Sequence, residues 1–446
     1  MPAIPEQWRT QSGAVLRLGG PLIVNYLAVA GMSLADTIMS GQLGASSLAA
    51  VAVGGSVWML AFSGCLGVLM AISPIIARLY GAGDHRKIGR YTRHGMYLGV
   101  VMGVVVLFGG RTFAGYVLMA IGIDEGFREI TLDYLRALIL GAPGILIFLA
   151  LRFTTEGVGF TRPVMFTSMF SLICNIVLNY VLMFGHFGAP AMGAEGCGYA
   201  SAITMWLVAL ALGLYVAFSP RTRGLKIFSR IGQFRPALFR EIIYLGIPIA
   251  ITITAEIGLF SAISILVGTR GVEITAAHQI ALSYSSAMFM IPLALSSAAT
   301  VQVGHMLGAE RPHDARTAGI VGILMCASFM AISAVVLLLF RDVIVTLYTD
   351  DPIVTGIALS LMLVAAIFQI ADGIQIGAAA VLRAYKDMKF PMAINIFAYW
   401  VVAFPLAYLA AITYQLPAYQ IWMAFIVGLG LAATLMTWRF NRLSRV

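Results

Sequence analysis

Long apolar runs, broken at short intervals by small clusters of charge, set the pattern of this chain. A helix that crosses a bilayer needs about 20 mostly apolar residues. Read along the chain, the pattern predicts twelve such spans, at about 14–40, 46–75, 94–120, 131–152, 163–185, 193–219, 241–268, 276–303, 317–341, 354–380, 391–413 and 418–438. The connections are all short and leave no room for a soluble domain. The expected fold class is therefore an all-α polytopic membrane protein with twelve transmembrane helices.

Composition sharpens this picture. Hydrophobic residues make up 60% of the chain and charged residues 11%, with a mean hydropathy of +0.93. A soluble domain carries about 25% charged residues. The net charge of +9 reflects topology rather than affinity for nucleic acid. Of the 28 Lys and Arg, all but Arg111, Arg128, Arg136, Arg270 and Arg341 fall at the termini or in the even-numbered connections. The odd connections carry acids instead: Asp124, Glu125, Glu129, Asp342, Asp350 and Asp351. Positive loops stay cytoplasmic, which places both termini inside. The segment Met1–Thr10 is short and polar, and the first span exceeds a signal-peptide core, so it is expected to be retained.

Enzymatic chemistry finds little footing. Cys65, Cys174, Cys197 and Cys326 are scattered through apolar surroundings without metal or redox spacing and read as small buried hydrophobes. The six histidines form no His-Glu-x-x-His pattern, and no phosphate loop or Gly-x-Ser-x-Gly elbow occurs. The chain is expected to be no enzyme and to need no cofactor.

The chain repeats itself at a shift of 227–228 residues. Leu18-Gly19-Gly20-Pro21 returns as Leu245-Gly246-Ile247-Pro248, Ala49-Ala50 as Ala276-Ala277, Gly81-Ala82 as Gly308-Ala309, and Pro163 as Pro391. Two six-span lobes follow: 1–220 and 241–446, joined by a basic linker at 221–240 in which an amphipathic piece at 227–239 is conceivable. An even number of spans per lobe predicts pseudo-symmetry about the membrane normal, with a central cavity between the lobes.

Three carboxylates interrupt the apolar spans: Asp36, Glu256 and Asp372. A charged carboxylate at bilayer depth costs at least ~2.5–3.5 kcal/mol, so such groups face a protein interior or wet cavity and mark ion pathways. Asp36 shares a helix face with Ser33 and, three turns back, Asn25. Pro21 precedes them where a missing amide bond permits bending. Asn175 and Asn179 are four apart on one face of the fifth span, where interhelical hydrogen bonding competes with a site role. In the second half, Glu256, Asp372 and Gln375 could together hold a dehydrated cation through oxygen, or the two acids could share a proton. Polar networks that merely bridge helices are the structural alternative in each case. Met32, Phe289 and Phe368 are candidate cavity residues, since soft or aromatic walls suit varied ligands. His278 reads as a packing residue, and Glu156 as a salt-bridge partner in the connection after span four.

Ala35-Asp36-Thr37-Ile38-Met39-Ser40-Gly41 resembles the first-helix motif of the multidrug and toxic compound extrusion transporters. So do Gly81-Ala82-Gly83-Asp84 with Lys87-Ile88-Gly89, Ala255-Glu256, Ala276-Ala277-His278-Gln279, and Leu382-Arg383-Ala384-Tyr385-Lys386-Asp387-Met388. The likeness is co-linear over essentially the whole chain and looks closest to the bacterial NorM-type branch, which carries acids at the positions of Glu256 and Asp372. It implies a two-lobed antiporter of the bacterial inner membrane, acting as a monomer. It implies export of cationic, amphipathic drugs and dyes by alternating access, driven by inward Na+ or H+. Asp36 would be the first-lobe acid tied to proton coupling or drug release, and Glu256 with Asp372 the second-lobe cation site, with Na+ as its metal. Phe289 and Phe368 stand where an aromatic ring could complete that site, but neither offers a hydroxyl.

Three other readings stay open. A major facilitator antiporter also has twelve spans in two halves, but its loop motif fits Gly81–Arg90 only with the spacing off by one. A lipid-linked sugar flippase of related fold would be expected to show cavity arginines, which the first-lobe spans almost lack. A membrane-embedded lipid-modifying enzyme would need a nucleophile and base within reach, and no span shows such a pair.

Overall fold

The structure is a computed structural model that describes residues 6–120, 122–123, 125–228 and 234–445. Among the described residues, all regular structure is helical, and twelve helices are long and apolar enough to span a bilayer. They are α1 (Glu6–Gln42), α2 (Ala45–Gly81), α3 (His85–Ala120), α4 (Glu125–Gly157), α5 (Arg162–Phe184), α6 (Gly193–Phe218), α7 (Pro236–Gly268), α8 (Val272–Gly308), α9 (Pro312–Thr346), α10 (Pro352–Ala384), α11 (Lys389–Thr413) and α12 (Ala418–Ser444). Each coincides with one expected span. Several run past the apolar stretch at their ends, because polar residues such as His85–Arg93 continue the helix beyond the hydrophobic window.

The internal repeat is written into the backbone. A shift of 227 carries α2 onto α8 and α4 onto α10 end for end. It also relates the left-handed turns between helices: Gly44 (φ 112°) to Gly271 (φ 121°), Gly83 (φ 70°) to Glu310 (φ 56°), Gly159 (φ 87°) to Lys386 (φ 61°), and Gly188 (φ 84°) to Gln415 (φ 50°). Glycine reaches these angles without a Cβ penalty. The second half holds three of the four with ordinary residues.

The chain packs as two compact units, one formed by 24–250 and the other by 1–23 together with 251–446. Both boundaries fall inside continuous helices, after Ile23 in α1 and after Ala250 in α7. Each lies two residues beyond a helix-internal proline, Pro21 or Pro248. A proline inside a helix removes one ladder hydrogen bond.

In unit 24–250, α4 is the central element, with almost all of 142–157 buried. Glycines let its neighbours approach: a Cβ on Gly99 of α3 would stand 2.8 Å from the Leu146 carbonyl oxygen, and one on Gly144 would stand 2.9 Å from the Trp206 ring of α6. Glu156, expected in a connection, instead lies inside α4 and is 1% exposed. Its carboxylate accepts from Arg152 Nε at 2.6 Å, which bears out the salt bridge and corrects its placement. The linker is described except for 229–233, so the expected amphipathic piece falls partly outside the described residues. What is described docks on α3: Arg93 donates to the carbonyls of Lys226 and Ile227, and the Arg235 amide donates to His94 Nε2.

In the other unit, α10 takes the central place. Its Gly373 and Gly377 admit α9 at Met330, Cys326 and Ile323. Close approach through small residues is the usual packing solution for helices in lipid.

Two carboxylate clusters within the helices

The first cluster belongs to unit 24–250. Asp36 sits in the last two turns of α1, and α5 presents Asn175 and Asn179 one turn apart on a single face. Asn179 Nδ2 donates to Asp36 Oδ1 at 2.6 Å and approaches Asn175 Oδ1 at 3.3 Å. Asn175 Nδ2 in turn donates to Ser201 Oγ of α6 at 3.3 Å. Asn175, Cys197 and Ser201 also face the Asp36 carboxylate, and its charge reaches Tyr134 of α4. The α6 side chains come close because its first turns are rich in glycine and alanine; a Cβ on Gly196 would stand 2.6 Å from the Leu182 carbonyl oxygen of α5. Asn175 and Asn179 are buried, at 2% and 0% exposure. Asn179 Oδ1 has no hydrogen-bond partner among the described residues. The result is one carboxylate met by the Asn179 amide N–H and by the Asn175, Cys197 and Ser201 side chains, with no Lys or Arg in hydrogen bond to it among the described residues.

Asn25 does not join this cluster. Its neighbours are satisfied when its amide nitrogen donates to Ser168 Oγ at 2.5 Å and its oxygen accepts from Arg152 Nη2 at 3.1 Å. The Arg152 guanidinium also lies over the Tyr26 ring, 5.0 Å from its centroid. Asn25 therefore belongs to the buried ion pair of α4, about three turns from Asp36 along α1. Ser33 is exposed and does not extend the polar face. Met32 is partly exposed, and its Sδ accepts from Ser171 Oγ at 3.3 Å.

The second cluster lies in the unit containing 251–446. Glu256 of α7 and Asp372 of α10 act on each other electrostatically, and the Arg383 guanidinium acts on Glu256. Asp372 and Gln375 are buried, at 5% and 1% exposure, while Glu256 is partly exposed. Asp372 Oδ1 and Gln375 Oε1 have no hydrogen-bond partner among the described residues. Sequence reasoning passed over two buried polar groups of α11 in the same unit, Asn395 and Tyr399, both 0% exposed. Both amide atoms of Asn395 and the Tyr399 hydroxyl lack a partner among the described residues. Nothing in the apolar pattern of 391–413 distinguished either residue. Summed over Glu256, Asp372 and Arg383, the formal charge is negative by one.

Phe368, a candidate cavity ring, is instead core. It is 1% exposed and packs against Trp422 and Phe425, at centroid distances of 5.7 and 5.6 Å. Phe289 is partly exposed on α8. His278 has the packing role expected of it: Trp422 Nε1 donates to its Nδ1 at 2.9 Å, leaving Nε2 to meet Ser264 Oγ at 2.8 Å. Among the described residues, no group of three or more His, Cys, Asp and Glu side chains could hold a metal ion. The second cluster instead combines carboxylates with neutral oxygens, a donor set suited to a hard monovalent cation or a proton.

Comparison with known proteins places this chain in a family. The MatE family profile matches residues 21–181 and again 248–409, two copies separated by the repeat already seen. Among solved structures, the fold is similar to that of the eukaryotic MATE transporter AtDTX14, with a TM-score of 0.87 and 22% identity over 99% of each chain. It is similar to a MOP superfamily transporter from Pyrococcus furiosus, described as having a binding pocket of reverse polarity that suggests a different function (TM-score 0.88, 21% identity, 98% of this chain and 97% of that one). It is also similar to a multidrug resistance MATE family transporter in an outward-facing conformation (TM-score 0.88, 20% identity, 98% and 97%).

Proposed function

This chain belongs to the MatE family of transporters, and from that premise we propose that it is a secondary active exporter of cationic, amphipathic drugs and dyes, driven by inward movement of Na+ or H+. The observation that supports coupling most directly is the pair of carboxylate clusters, one in each compact unit, neither fully balanced by a fixed positive charge. An uncompensated carboxylate at bilayer depth is expensive. Loading one monovalent cation neutralises each cluster, and unloading restores the charge. A conformational cycle that is favourable only for the neutral form would thereby be tied to ion movement.

In this reading Asp36 is the first-lobe coupling group, held by Asn179 and supported by Asn175. Glu256 and Asp372, with Gln375, form the second-lobe cation site. Net charge of minus one at the second cluster favours a single Na+ or H+ there. Met32, partly exposed one turn from Asp36, fits a soft wall for aromatic cations. In the same reading the lobes are taken by sequence as 1–220 and 241–446 and the protein as a monomer in a bacterial inner membrane, and the distribution of Lys and Arg supports cytoplasmic termini. The acids at Glu256 and Asp372 support the NorM-type branch.

Efflux tests the proposal. Cells expressing the chain should retain less ethidium and less of a fluoroquinolone than control cells, and collapsing the ion gradients should restore retention. Sealed vesicles with Na+ and pH gradients imposed separately identify the coupling ion. Unchanged retention of both compounds would shift the assignment to a flippase or to another exported substrate.

A further inference from the structure

The second cluster contains a hydroxyl that the coupling scheme above leaves unused. Tyr399 lies in Ile396–Ala403, a π-helical turn of α11 in which the Phe404 amide reaches back to the Tyr399 carbonyl. Such turns rotate the residues around them out of ordinary helical phase and recur at functional sites. The neighbouring Trp400 fixes where this turn sits. Its Nε1 donates to the Ala255 carbonyl at 3.2 Å, and its ring lies so close to α7 that a Cβ on Gly258 would stand 2.9 Å from it. Trp400 therefore clamps the turn to α7 on either side of Glu256.

Held there, the Tyr399 ring is wholly buried, and its hydroxyl has no hydrogen-bond partner among the described residues. The charges of both Glu256 and Asp372 act on it. A polar group enclosed in this way normally finds a partner in the folded protein. Asp372 Oδ1 and Gln375 Oε1 are left open in the same unit, as is the Asn395 amide one turn before Tyr399. A proton on a carboxylate would need one acceptor at most. Open oxygens contributed by two helices suit an ion that strips its hydration shell and replaces it with several oxygens at once.

We infer that the Tyr399 hydroxyl oxygen is a direct ligand of a dehydrated alkali cation at the Glu256–Asp372 site, supplied by the π-helical turn of α11. This rests on the reading of Glu256 and Asp372 as a cation site and deepens it. Tyr399 then sets the preference of that site for Na+ over H+.

The test is equilibrium binding of radioactive Na+ to purified protein at alkaline pH, in an Asp36→Asn background so that the first cluster contributes no signal. Asp372→Asn should abolish binding. Tyr399→Phe should melt at the parent temperature and raise the half-saturating Na+ concentration by about tenfold, the worth of one charge-assisted contact. Loss of binding in Asp372→Asn with Tyr399→Phe within about twofold of the parent would overturn the role of Tyr399 alone. Undiminished binding in Asp372→Asn would overturn the site itself. Should Tyr399→Phe fail to fold, the parent protein decides the matter. Added Na+ should shift the tyrosine C–O stretch in an infrared difference spectrum of ring-labelled protein, and a spectrum without that band would overturn the inference.

Discussion

Glu156→Ala strands the Arg152 guanidinium inside α4. The two side chains meet at 2.6 Å and are 7% and 2% exposed, so water cannot take the place of the lost carboxylate. Breaking a buried pair from one side costs about 3–5 kcal/mol. Arg152 keeps the Asn25 oxygen at 3.1 Å and the Tyr26 ring at 5.0 Å, and these contacts hold the loss near the lower end. A cation–π contact of this kind contributes roughly 0.5–2 kcal/mol. The expected destabilisation is therefore about 3 kcal/mol, on the order of a hundredfold in the folding equilibrium. Arg152→Leu combined with Glu156→Leu removes both charges and should fall within about 1 kcal/mol of the wild type, the residual being the donor that Asn25 loses. Equilibrium unfolding in mixed micelles, followed by tryptophan fluorescence, measures both. A single variant within about 1 kcal/mol of wild type, or a double variant worse than the single, would refute the account of this pair.

Three further outcomes are expected. Asp36→Asn preserves an amide-sized partner for Asn179 but cannot alternate between charged and neutral, so ethidium efflux should fall to the empty-vector level with membrane insertion intact; robust efflux would remove Asp36 from coupling. Gly99→Ala should destabilise by about 1–3 kcal/mol because its Cβ would meet the Leu146 carbonyl at 2.8 Å. Gly109→Ala on the same helix meets nothing within 4 Å and should be neutral or slightly stabilising, and equal melting temperatures for the two would contradict the packing of α3 on α4. Glu310→Gly relieves a left-handed residue and should raise the melting temperature slightly, since the conformational penalty of roughly 1–2 kcal/mol exceeds glycine's entropic cost of about 0.5–1 kcal/mol; a lowered melting temperature would show that Glu310 supplies compensating contacts.

Sequence by itself determined the number of spans, the repeat and the three intramembrane acids, because each is a local property. A span is a run of apolar residues, a repeat is a common offset, and a carboxylate in oil is conspicuous wherever it occurs. Tertiary structure alone decided which polar groups meet. Asn25 and Asn179 both lie on helices that also carry or face Asp36, yet only Asn179 reaches it, since Arg152 claims Asn25 from another helix. Tyr399 and Asn395 were illegible in an aromatic, apolar stretch; the fold buries Asn395 in the α-helical segment just before a π-helical turn and Tyr399 within that turn. Glu310, Lys386 and Gln415 adopt angles that their side chains disfavour, because the packed helices on either side require the turn. Contacts across helices depend on azimuth and on close approach at glycine, and neither is encoded by any one stretch of chain.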